Sequence, residues 1–162
     1  MSAGELRAST PAPRPPAPQR AVVRRPAPSL SPEVQGALLA LCGVRSGATV
    51  LDLTPGGYFV RPAHAAAGKG GVVLVAQPAA LAENLPAVLR GAQVTHAFAL
   101  LPGSRLLTVL RPVLRAGARV AVTGVDADAV HEAALVAAYD VVHLETEVDG
   151  MVAAVVRPRP PS

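Results

Sequence analysis

Apolar positions along the chain change period several times, and each change marks an element. Val34, Ala37, Leu38, Leu41 and Cys42 recur at i, i+3, i+4, i+7 and i+8, the spacing of one helical face. Ser31 can cap this helix, Pro32 suits its first position, and Glu33 favours the positive end of its dipole. Gly43 can close it in a left-handed conformation. Cys42 falls on the buried face and is read as core packing rather than a reactive thiol.

The next run, Ala48–Leu53, is short and continuously apolar up to Asp52, as a buried strand is. Thr54-Pro55-Gly56-Gly57 turns the chain into a short helix from about Tyr58 to Ala67. Gly68-Lys69-Gly70-Gly71 leads to Val72–Ala76, read as a second buried strand. Strand, helix and strand within about 30 residues make a right-handed βαβ unit. Pro78 to about Asn84 predicts a helix broken by Pro86. Val94–Leu101 predicts a strand. Ser104 can cap a helix running to Arg115, with Pro112 forcing a kink or a break. Arg119–Thr123 predicts a strand, and residues 126–138 an Ala-rich helix with Asp126 and Asp128 at its start. Val141–Glu145 and Val152–Val156 predict an antiparallel pair around Asp149-Gly150. Alternating strands and helices imply a doubly wound α/β sheet.

The first 30 residues break every such pattern. Seven prolines, Pro11, Pro13, Pro15, Pro16, Pro18, Pro26 and Pro28, alternate with Ala and Arg. Proline has no amide hydrogen and a fixed φ, so neither helix nor ladder can run through the segment. It is expected to be disordered, with polyproline II character. The formal charge of +4 resides in the tails: Arg7, Arg14, Arg20, Arg24 and Arg25 face only Glu5, and Arg157 and Arg159 close the chain. The stretch between holds 8 basic and 10 acidic residues. That balance argues against a nucleic-acid-binding face, leaving the basic tail as the exception. One cysteine excludes a disulfide framework and a Cys-rich zinc site. No apolar stretch approaches the roughly 20 residues of a membrane helix. The amino terminus lacks the apolar run of a secretory signal, so the cytoplasm is the default expectation.

The order of these elements resembles class I S-adenosylmethionine-dependent methyltransferases over roughly residues 31–157. Gly47–Leu53 is similar to the family's entry into its first strand. Leu53–Phe59 (LTPGGYF) is similar to the loop of predicted methyltransferases with Pro-Gly-Gly-Gly-Tyr, short by one glycine. Val113–Val122 resembles the turn into the family's fifth strand, Ala137–Val142 the approach to its sixth, and the closing hairpin its antiparallel seventh. The resemblance implies a mostly parallel sheet of about six strands, ordered 2-1-4-5-7-6 in family numbering. It leaves residues 158–162 as a second disordered tail. It implies S-adenosylmethionine as cofactor, bound by Asp52, Thr54, Gly56, Gly57 and Gln77. Physically, an acid ending a strand, then small residues, lets a ligand approach the backbone, and the next helix offers free amides.

The chain departs from the family at three places. Val75 and Ala76 stand where the family ends its second strand with an acid for the ribose hydroxyls, and Gln77 is the nearest polar group. Leu89–Gln93 leaves no room for the family's third strand. Leu100-Leu101-Pro102-Gly103 lacks the polar-Pro-Pro-aromatic cluster of nitrogen-methylating members. His64 and His96 are the histidines placed to face a pocket. No His, Asp or Glu spacing supports a metal site. Asp140, Glu145, Glu147 and Asp149 are read as a solvated rim. Two functions follow: methyl transfer to a small-molecule or protein acceptor, or a methyltransferase fold without catalysis, serving as a binding or scaffolding module. A nucleotide-binding Rossmann domain is a third, disfavoured by the missing G-x-G-x-x-G.

Overall fold

The computed structural model describes residues 30–83, 89, 91–148 and 150–160. Among them the element order is α1 (Pro32–Cys42), β1 (Thr49–Asp52), α2 (Val60–Ala67), β2 (Val72–Val75), α3 (Pro78–Glu83) and β3 (Val94–Ala99). Then come α4 (Ser104–Leu110), β4 (Leu114–Gly124), α5 (Ala127–Val136), β5 (Tyr139–Val148) and β6 (Met151–Pro158). One sheet holds the strands in the order β2-β1-β3-β4-β6-β5. β2, β1, β3 and β4 pair parallel, while β6 pairs antiparallel with both β4 and β5. This is the expected order once the family's third strand is left out, because β3 here takes its fourth place. No helix of the described residues is long and apolar enough to cross a membrane.

Both sheet faces are covered, so side chains alternate between two cores. One core gathers Val50, Phe98 and Ala121 from the strands under α1 and α2, with Phe59 among them. The other gathers Leu51, Ala97, Val120 and Val122 under α3, α4 and α5. α1 is built as its caps require. Ser31 Oγ accepts from Val34 N at 3.3 Å, and Gly43 ends the helix at φ 61°. Leu30, ahead of the cap, is also buried. The rest of the expected amino-terminal tail lies outside the described residues.

Four expectations need correction. β2 lies at the edge where the expected order put it, but it is not a buried strand: Val72 and Val75 are each about half exposed, because no strand lies beyond it among the described residues. The helix breaks ahead of Pro112 as expected, ending at Leu110, but Gly103 and not Ser104 stands at its N-cap, with no side-chain cap bond. A 3-10 turn, Arg111–Val113, follows instead of more helix. β4 then starts at Leu114, well ahead of the expected Arg119. The ordered chain also passes residue 157: Pro158 belongs to β6, and Arg159 N donates to Ala138 O at 3.0 Å. The hairpin expected at Asp149-Gly150 has Gly150 at φ 77°, while Asp149 lies outside the described residues. Asn84 and Pro86 lie outside them too.

Two buried groups make quantitative tests of this packing. Tyr139 Oη donates to Leu107 O at 2.6 Å, tying the start of β5 to α4. Tyr139→Phe removes that buried bond and should cost about 1 kcal/mol in a urea titration. Cys42 is fully buried, and burial pushes its thiol from 9.0 up to about 12, against a smaller opposing effect of Arg119. Unfolding therefore releases its proton in the window between those two values. Its contribution to stability is intact below that window and lost as pH rises through it. At mildly alkaline pH a thiol reagent should label Cys42 only at the rate of global unfolding. Fast labelling of folded protein would show that α1 lifts off alone.

Candidate functional site

The order in which the chain adds strands reverses between the parallel strands β1 and β3, since the chain steps outward to β2 on one side and to β4 on the other. In open α/β sheets the crevice at the carboxyl ends of such strands is where ligands bind. Here residues 53–59 after β1 and residues 100–103 after β3 bound it.

The first of these loops is organised by Asp52. Its side chain is completely buried. Oδ1 accepts from Thr54 N at 2.9 Å and from Thr54 Oγ1 at 2.5 Å, and Oδ2 accepts from Phe59 N at 2.9 Å. Thr54 Oγ1 in turn accepts from Tyr58 N at 3.0 Å, and Thr54 is also fully buried. Gly57 N donates to Thr54 O, and Val60 N to Gly57 O. The amides of Tyr58 and Phe59, expected to be free, are thus consumed inside the turn. α2 begins at Val60 rather than Tyr58, and Pro62 in its first turn brings no donor.

The glycines are the open part of the loop. Gly56 (φ 77°) is exposed, and a Cβ built there would meet nothing within 4 Å. A Cβ on Gly57 (φ 69°) would meet Val60 Cγ2 at 3.0 Å. The turn therefore needs glycine for its backbone and leaves Gly56 facing space. Gln77 is exposed just beyond β2. So Asp52 and Thr54 hold the loop from below, while Gly56, Gly57 and Gln77 lie toward the crevice edge.

Three features of this region carried no sequence signal. Phe59 and Phe98 stack with ring centroids 4.2 Å apart and planes 6° apart, locking the loop onto β3. Leu101 sits at φ 45°, a left-handed conformation rare for a bulky residue, with its N–H donating to Thr123 Oγ1 at 2.9 Å. Beside it, an apolar cavity of about 210 Å³ opens between α4 and α5, lined by Leu101, Pro102, Leu107, Val125, Ala129 and Val130. The histidines do not join the site. His64 is exposed in the last turn of α2, and His96 lies among arginines toward the opposite edge of the sheet.

No family model matches the chain, and no curated protein does. Solved structures do. Over 80% of this chain and 49% of theirs, the match to TrmN from Thermus thermophilus has a TM-score of 0.59 at 24% identity. A SAM-dependent methyltransferase from Aquifex aeolicus matches over 75% of this chain and 87% of its own, with a TM-score of 0.55 at 18% identity. A SAM-dependent O-methyltransferase from Thermotoga maritima matches over 82% and 68%, with a TM-score of 0.59 at 11% identity. The fold is that of the S-adenosylmethionine-dependent methyltransferases. The chain spans about half the length of TrmN.

Proposed function

We propose that this methyltransferase-like domain binds S-adenosylmethionine over the carboxyl ends of β1 and β3 and transfers its methyl group to an acceptor. One observation carries the reading: a glycine turn, open above Gly56, stands at the switch point of a methyltransferase-like sheet. The cradle fits such a cofactor at its methionine end, where Gly56 and Gly57 allow close approach to the backbone. Gln77 would face the ribose, with one amide oxygen in place of a carboxylate. Asp52 and Thr54 would act as positioning residues, holding the turn rather than touching the ligand. The apolar cavity beside Leu101 would take an apolar part of the acceptor, a small molecule or a protein side chain. Methyl transfer by displacement needs mainly alignment of donor and acceptor, which such a cradle supplies.

A second reading, a binding module without catalysis, is favoured by a specific observation. Both carboxylate oxygens of Asp52 are spent inside the turn, and no acid ends β2. Calorimetric titration of the full chain with S-adenosylmethionine and S-adenosylhomocysteine, with NAD as control, separates the two. The first reading expects micromolar binding of both adenosyl ligands and none of NAD. Gly56→Asn keeps a residue that tolerates left-handed backbone but fills the open space. It should weaken binding at least about tenfold, or 1.4 kcal/mol. A folded protein that binds neither adenosyl ligand would establish the second reading.

A further inference from the structure

The amino-terminal edge of the sheet, opposite the glycine loop, collects arginines that lie far apart in sequence. Arg45 follows α1, Arg115 and Arg119 lie on β4, and Arg157 lies near the end of β6. These four, with Thr95 and His96, line a depression of about 360 Å³. A second depression of about 480 Å³ adjoins it, sharing Arg115, Gly117 and Arg157 and adding Arg111 and Arg159. No acidic side chain lines either one. The one ion pair among the described residues, Arg159 with Asp140 at 2.6 Å, sits at the far end.

The arginines differ in how they are held. Arg119 donates to Leu41 O at 2.8 Å, and its Nε is buried without an acceptor. Arg111 is clamped by the carbonyls of Ala138 and Arg159 above the Tyr139 ring. Arg45, Arg115 and Arg157 are exposed. Two positions are therefore fixed by the fold, and three are free to reach a ligand. We propose that this edge is a binding track for the phosphodiester backbone of a nucleic acid, independent of any cofactor at the opposite edge. Guanidinium forks match phosphate oxygens. Two joined depressions suit a chain of phosphates better than one compact anion. No aromatic side chain lines the track, so it would read backbone and not base. His96 lies beside the track: desolvation, with Arg119 and Arg45 nearby, lowers its pKa, against the raising effect of a hydrogen bond to the Gly43 backbone.

The test is fluorescence anisotropy of the full chain with a labelled oligouridylate. Three phosphate contacts on a single strand should make affinity fall about twenty-fold as salt rises from roughly 50 to 200 mM. Arg115→Glu with Arg157→Glu should weaken binding more than about tenfold with an unchanged melting temperature. The charge-matched pair Arg61→Glu and Arg105→Glu, on the opposite edge, should change it less than about twofold. Bound RNA should also raise the His96 pKa in a proton NMR titration, since phosphates offset Arg45 and Arg119. Equal losses from both pairs would overturn the proposal, as would a loss confined to Arg24→Glu with Arg25→Glu in the tail. Competition by inorganic triphosphate at the affinity of the oligonucleotide would also overturn it, because the site would then be a pocket for a compact anion.

Discussion

Asp52→Ala is expected to destabilise the domain by about 2–4 kcal/mol, far more than a surface carboxylate would. The side chain is fully buried and accepts from two backbone amides and one hydroxyl. Truncation leaves the N–H groups of Thr54 and Phe59 in a dry site with no acceptor, and each such orphan costs about 1–3 kcal/mol. Asp52→Asn keeps one carbonyl oxygen and should recover part of the loss. Urea denaturation followed by circular dichroism measures both, and a midpoint shift at constant slope would assign the effect to the folded state. The same pair of variants tells positioning from direct contact. If Asp52 touched a ligand, Asp52→Ala would keep its stability and lose only affinity. The buried geometry forecasts the reverse, with affinity lost in step with the order of the turn.

Phe98→Ala should be the most damaging single truncation, at about 3–5 kcal/mol. Phe98 is completely buried, lies in the core beneath α1 and α2, and stacks on Phe59 at 4.2 Å. Its loss leaves a cavity under both β3 and the glycine loop. In a domain whose total stability is about 5–15 kcal/mol, that is a large share. Differential scanning calorimetry should show the melting temperature falling by about 10–20 °C. Phe98→Leu, which refills most of the space, should cost less than half as much. Equal melting of wild type and Phe98→Ala would mean that the stack is not what joins loop to sheet.

The parts of the fold that were legible in the sequence are those set by local periodicity and by turn residues. The apolar face from Val34 to Cys42, with Ser31 and Gly43 at its ends, marks α1 to within a residue. Val152–Val156 and the glycine at position 150 announce the closing hairpin. β2 was placed correctly at the edge, but its run of valines reads as buried, and nothing in it shows that Val72 and Val75 are left half exposed. The start of β4 was hidden because Arg115, Ala116 and Gly117 carry no strand signature: the register with β3 shifts there, between the pairs Val94–Leu114 and His96–Arg119, and Gly117 has φ 80°. The glycine turn was visible, but its internal economy was not: that Asp52 would turn inward depends on Phe59 and Thr54 offering donors at the right distance. The arginine cluster was invisible for a different reason. Net charge summed along the chain averages Arg45, Arg115, Arg119 and Arg157 with acids that the topology sends elsewhere, such as Asp126, Asp128 and Glu145.

The two open margins of the sheet have opposite characters. β2 is only four residues long, and β5 runs for ten. A bare margin invites another chain to pair with it, and natural sheets blunt that invitation by brevity or by charge. β2 relies on brevity, since its exposed positions are valines. β5 relies on charge, with Asp140 and Glu145 along its length. Protection of the sheet against edge-to-edge pairing thus rests on two separate safeguards. Lengthening β2 or neutralising β5 would remove one of them without disturbing either core, and a stable, correctly folded protein would begin to precipitate.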